Sequence, residues 1–194
     1  MTIACSSPRQ DNKNNSSSAD IAKTKTDSTT KADLLEKKQL IEEFGLNQTD
    51  TIPVGDVDGN GKKDIAYIQP YNLDSQHVYI TFSCDISAIK NISGFGGLIA
   101  NVGDLDGNKT EELIYYPEWF QSNSAGIFIY GYKNNKWVLF GHGSIRRDII
   151  ADAKDPIAFL KNRIKKIDNK SFKLTEHIWR DTEIVDSASI IKIE

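Results

Sequence analysis

Only two cysteines, three histidines and one methionine occur among the 194 residues, and the first two scarcities each close off a chemistry. Cys5 and Cys84 are too few for a disulfide framework. No Cys-x-x-Cys or paired His accompanies them, which excludes a zinc site. His77, His142 and His177 are scattered, and the chain has no Gly-x-Ser-x-Gly elbow, His-Glu-x-x-His helix or phosphate loop. Nucleophilic and acid–base catalysis therefore have no recognisable footing, and the chain reads as a non-enzyme. No run of about 18 apolar residues occurs either, so these residues contain no membrane-spanning helix.

Charge is unevenly placed. Residues 1–31 hold five basic and three acidic side chains, leaving 19 basic and 24 acidic in the remainder. A mildly acidic body repels phosphate, which removes nucleic acid from the expected partners. With 39% hydrophobic residues the composition suits one globular domain with a polar appendage. The boundary is expected near residue 31, giving a tether over 1–31 and a folded body over 32–194.

The tether is nearly free of large apolar residues from Ser6 to Lys31, so it cannot bury enough surface to offset its ordering entropy. Ahead of it, Thr2-Ile3-Ala4-Cys5-Ser6-Ser7 resembles the end of a bacterial lipoprotein signal, in which small residues precede a Cys that is lipidated. The apolar stretch that precedes such a Cys is not in the sequence, and Thr2 stands where that family usually has Leu. The resemblance implies a membrane anchor on Cys5 and a location in the bacterial cell envelope.

Asp33 to Gly45 reads as a short helix, with Asp33 and Glu36 at its start, Gly45 at its end, and Leu34, Ile41 and Phe44 on one face. Beyond it the chain repeats itself. Val54-Gly55-Asp56-Val57-Asp58-Gly59-Asn60 and Val102-Gly103-Asp104-Leu105-Asp106-Gly107-Asn108 stand 48 residues apart, and the register continues through Asp64 and Glu112 to Tyr67 and Tyr115. A period of that length marks repeated β units.

Calcium takes six to eight oxygen ligands at about 2.3–2.6 Å, and oxygens at alternate positions of a tightly wound loop all point inward. Positions one, three, five and nine supply Asp56, Asp58, Asn60 and Asp64 in the first loop, with the Lys62 carbonyl at position seven. In the second they supply Asp104, Asp106, Asn108 and Glu112, with the Thr110 carbonyl. An EF-hand is excluded, because position twelve is Tyr67 or Tyr115 where that motif needs a bidentate Glu. The competing reading is a pair of ordinary Asp-Gly and Asn-Gly turns. Lys109 takes the place of Gly61, so the second loop is expected to be strained and to bind its ion more weakly.

Both loops resemble the calcium loops of FG-GAP, or VCBS-type, repeats, the blades of integrin-alpha-like β-propellers. Phe95-Gly96-Gly97 is similar to the phenylalanine-glycine element of that repeat. The resemblance covers about residues 50–145 and implies structural ions that do not catalyse. It departs from the family in number, since a closed propeller needs at least four blades and the chain has room for about three. Asp152 lies one period after Asp104, but Lys154 and Pro156 fall at ligand positions, so any third unit is expected to lack an ion. The body is either an incomplete propeller-like stack or a β fold that borrows the loop.

The remaining strands are expected from alternation and turn chemistry. His77–Phe82 is one strand. Gly126–Tyr132 turns at Asn134-Asn135 into Lys136–Phe140, Arg163–Ile167 turns at Asp168-Asn169 into Ser171–Leu174, and Ala188–Ile193 closes the chain. Cys84 reads as a small, partly buried residue after a strand. The expected function is a calcium-stabilised, non-enzymatic β-repeat lipoprotein that binds or scaffolds. Two rivals stand beside it: a secreted module whose aromatic run Tyr115–Phe120 meets a glycan or protein, and an envelope hydrolase with an unrecognised site.

Overall fold

The computed structural model describes residues 49–69, 77–118 and 123–194. Cys5, the tether and the helix expected over 33–45 lie outside them. The described residues are mainly β, in three antiparallel sheets with two short helices. The first sheet is β1 (Asp50–Gly55), β2 (Asp64–Ile68), β3 (His77–Phe82) and β4 (Ile89–Ser93), in chain order. The second is β5 (Gly97–Gly103), β6 (Glu112–Pro117), β7 (Ser124–Lys133) and β8 (Lys136–Arg146), again in chain order. Helices α1 (Arg147–Ala151) and α2 (Pro156–Lys161) lead to the third sheet, β9 (Ile164–Asp168), β10 (Ser171–Arg180) and β11 (Glu183–Lys192).

Strand pairing carries the 48-residue repeat. Thr51 pairs with Tyr67 as Ile99 pairs with Tyr115, and Ile52 with Ala66 as Ala100 with Ile114. Both hairpins shift register at the same place, between Pro53 and Gly55 and between Asn101 and Gly103. The turn from β7 to β8 is the expected Asn134-Asn135, with φ of 51° and 61°, the pair of positive φ values that suits the twist of the flanking strands.

The second sheet is the middle layer. Strand β6 is buried at all six residues, as a strand must be when both faces are covered. Successive side chains point to opposite faces, and the two faces enter different cores. Leu113 and Tyr115, with Ile99, pack with Val54, Val57, Ala66, Ile68, Val78 and Ile80 of the first unit. Ile114 and Tyr116, with Ala100, Leu105, Ile127 and Ile129, pack with Ile150, Leu160, Phe172 and Leu174 of the helices and third sheet. Val57, Ala66 and Ile68 are the 48-residue counterparts of Leu105, Ile114 and Tyr116, so each of the first two sheets turns the same face toward its successor in the chain.

The third sheet does not continue the register. Asp152–Asp155 joins α1 to α2, where a third loop would have fallen, and Asp155 caps α2 by accepting a hydrogen bond from the Ala158 N–H at 2.9 Å. Pro156 at the first helical turn fits a helix start and has no side-chain oxygen to offer at a loop-ligand position. The last strand also begins earlier than alternation suggested, at Glu183.

Side chains of β10 cover the outer edge of the middle sheet. The Ser144 N–H of β8 donates to Glu176 Oε2 at 3.1 Å and the Arg146 N–H donates to His177 Nδ1 at 3.0 Å, satisfying an edge that would otherwise be open to pairing. Gly141 and Gly143 leave room for Phe172, Ile191 and Leu174 to approach. His177 Nε2 lies 3.3 Å from Asp186 Oδ1. Burial, with the nearby Arg163 charge, pushes the His177 pKa below its ordinary value against the pull of Asp186 and Asp148. A proton on Nδ1 would also oppose the Arg146 N–H. The folded state thus binds fewer protons than the unfolded chain, so this contribution to stability is complete at neutral pH and is lost as pH falls below about 6.5. Denaturant unfolding from pH 7.5 to 5 is expected to show that decline, reduced in His177→Gln, whose amide oxygen can accept the same N–H; identical pH profiles for the two proteins would contradict it.

Candidate metal centres

The two Asp-rich loops occupy the β1–β2 and β5–β6 connections. Val57 and Leu105, set between the first two acidic residues, are 0% and 1% exposed and pin each loop to the core from below. The loops share one framework of backbone-to-side-chain hydrogen bonds. Asp56 accepts from the N–H groups of Gly59 and Gly61, both at 2.8 Å; Asp104 accepts from those of Gly107 and Lys109 at 2.5 and 3.1 Å. Asp58 accepts from the Asn60 N–H as Asp106 does from that of Asn108, and Asn60 accepts from Lys62 as Asn108 does from Thr110. At position nine, Asp64 accepts from the Val57 N–H at 3.1 Å and Glu112 from the Leu105 N–H at 2.5 Å.

Carboxylates converge differently in the two. In the second loop Asp104, Asp106 and Glu112 bring one oxygen each within 4.8 Å of one another. Glu112 is fully buried, and burial, aided by the charges of Asp106 and Asp104, pushes its pKa up to about 7 against the opposing hydrogen bond from Leu105. An all-oxygen donor set around a buried carboxylate fits a hard divalent cation, which would relieve that repulsion. In the first loop the corresponding group is Asp58, Asp64 and the sulfur of Cys84, while Asp56 stands outside it, its oxygens held by backbone N–H groups. Burial and the neighbouring Asp64 and Asp58 push the Cys84 thiol up to about 12, so it stays protonated and is a weak ligand beside the carboxylates.

Lysines reach the second loop from later strands. Lys133 Nζ lies 3.5 Å from Asp106 Oδ2, and Lys166 Nζ donates to the Asp104 carbonyl at 2.6 Å. Among the described residues no such ion pair touches Asp56, Asp58 or Asp64. Lys109 has φ of +74° where Gly61 has +84°. The left-handed position that the sequence pointed to is thus filled by a residue with a side chain, and two ammonium groups stand beside the acidic residues of this loop.

One participant was not foreseen. Glu111, at position eight of the second loop, reaches into the first unit. Its Oε2 accepts from the Asp56 N–H at 2.7 Å and from Asn101 Nδ2 at 2.6 Å, its own N–H donates to the Asp56 carbonyl at 2.8 Å, and Asn101 Nδ2 also donates to the Val54 carbonyl at 2.8 Å. A Cβ on Gly55 would overlap Glu111 and Asn101. The first loop is thereby fastened to the next sheet through its opening Asp, and the Lys166 contact on Asp104 does the same for the second.

No protein-family model, curated protein or solved structure matches the chain. Holding a side chain at Lys109 in the left-handed region costs about 1–2 kcal/mol. Lys109→Gly is expected to raise stability by about 1 kcal/mol in thermal melts and to tighten divalent-cation binding by calorimetry; an unchanged midpoint with unchanged affinity would show that the loop carries no strain.

Proposed function

We propose that this protein is a calcium-stabilised, non-enzymatic β-repeat module of the bacterial cell envelope, tethered to the membrane by lipid on Cys5 and working as a binding or scaffolding unit. The observation that carries the reading is the second loop: three carboxylates gathered within 4.8 Å, one fully buried, in a loop that shares with the first the backbone hydrogen bonds to positions one, three, five and nine. An incomplete propeller-like stack is supported by the meander order of the three sheets and by the same face that the first two turn toward their successors.

Asp58, Asp64, Asn60 and the Lys62 carbonyl would hold the ion of the first loop, with Asp56 shaping the loop around it. Asp104, Asp106, Asn108, Glu112 and the Thr110 carbonyl would hold that of the second, which is the weaker site. Calcium would supply positive charge and no chemistry. The protein's own residues do the rest: Val57 and Leu105 anchor the loops, and Glu111 and Lys166 carry their order into the neighbouring sheet. Binding to the folded form alone contributes RT ln(1 + [L]/Kd), about 1.4 kcal/mol per site for millimolar calcium and an affinity of about 0.1 mM.

Thermal melts in millimolar calcium and in excess chelator are expected to differ by several degrees, with two unequal sites in calorimetry. Coincident midpoints with no heat of binding would mean that the loops are ordinary turns. Expressed from a start that includes an upstream signal, the protein is expected in the membrane fraction and Cys5→Ser in the soluble one; retention of Cys5→Ser in membranes would remove the anchor.

A further inference from the structure

A sheet edge with unpaired backbone groups is a template for another strand, and proteins blunt such edges with proline, bulges, lysines or short length. Here β1 carries Pro53 and a register shift, and β4 and β5 each pair through a shift. Strand β9 is five residues long, with a shift and the exposed Lys165 and Lys166. The edge of β8 is covered by Glu176 and His177. Strand β11 differs. It runs ten residues at the edge of the third sheet without proline, glycine or register shift, and its stretch Ser187–Ile191 is uncharged.

The pairing with β10 fixes which groups of β11 face outward. The Ile193 N–H donates to the Lys170 carbonyl at 2.8 Å, so Ile193 and every second residue before it turn their backbone groups toward β10. Ile184, Asp186, Ala188, Ile190 and Lys192 therefore turn theirs away, and among the described residues nothing bonds to these outward groups. Their side chains share one face of the sheet. On it Asp186, Ala188 and Lys192 are exposed, and Ile190 is 66% exposed.

A second copy of the same strand fits this edge. Antiparallel pairing about a two-fold axis sets outward residues opposite one another, and charge separates the possible registers. Centred on Asp186, it opposes two carboxylates. Centred on Ser187 or Ala188, it sets Asp186 against the partner's Ala188 or the partner's Ile190. Centred on Ser189, it sets Asp186 against the partner's Lys192 twice, and Ala188 against the partner's Ile190, small against large. Lys192 makes no ion pair among the described residues. Asp186 meets Arg163 and His177 through Oδ1, which leaves Oδ2 for a second cation.

We propose that β11 is a self-association edge, pairing antiparallel with β11 of a second copy about a two-fold axis at Ser189 and joining two third sheets into one. This goes beyond the metal-loop reading and does not rest on it. Sedimentation equilibrium of the full chain in millimolar calcium, up to about 100 μM, is the test. The mass is expected to rise with concentration from 21.7 kDa toward twice that value. Ala188→Pro removes an outward N–H and no bond to β10, so it is expected to keep the native circular dichroism and to abolish association. Lys192→Glu, which opposes the partner's Asp186, is expected to weaken association about tenfold. A mass of 21.7 kDa at every concentration overturns the proposal. So does association that both variants leave unchanged, which would place the contact on another surface. Association lost in Ala188→Pro but unaltered in Lys192→Glu overturns the register centred on Ser189.

Discussion

The stack depends on how the first loop is held by the second unit. Glu111 and Asn101 grip the opening of the first loop through three hydrogen bonds, two to backbone groups of Asp56 and one to the Val54 carbonyl, and a fourth joins the two side chains to each other. Hydrogen bonds to a charged acceptor contribute about 1.5–3 kcal/mol each, and removing the acceptor leaves partly buried donors unsatisfied. Apolar burial presses the sheets together without fixing their alignment. These directional bonds select one alignment and couple the order of each loop to the seating of the adjoining sheet.

A cation in such a loop would act at a distance. Repulsion among Asp104, Asp106 and Glu112 is set against the Leu105 and Asp106 N–H groups that hold Glu112 in place. Relieving that repulsion firms the segment that carries Glu111, one residue before the buried Glu112. The first unit would then sense the state of the second loop through a single side chain, which gives a physical route from ion binding to stability of the whole stack.

Part of this was legible in the sequence, for reasons that can be named. Acidic and Asn residues recurring at 48 residues located both loops, and turn chemistry at Asn134-Asn135 located the longest hairpin of the middle sheet. Helices α1 and α2 were not foreseen, because five and six residues are too short to establish a helical period. Glu111 was invisible because its counterpart is Lys63, so the repeat gave it no emphasis and its partners lie 55 and 10 residues away. Cys84 joins Asp58 and Asp64 only through tertiary structure, from the end of β3.

The central claim is that the first loop is the joint between sheets, and two glycines isolate it. Gly55 and Gly103 occupy equivalent positions with the same φ of +81°, but a Cβ on Gly55 would strike Glu111 and Asn101, whereas one on Gly103 meets nothing within 4 Å. Backbone strain is therefore common to both and only the clasp differs. Urea unfolding of Gly55→Ala and Gly103→Ala is the most direct measurement. The account predicts a loss of about 1–2 kcal/mol for Gly103→Ala from strain alone, and for Gly55→Ala a loss greater by about 2 kcal/mol or more, as the bonds of Glu111 are displaced. Equal losses at the two positions would show that the clasp does not hold the sheets together and would contradict the account.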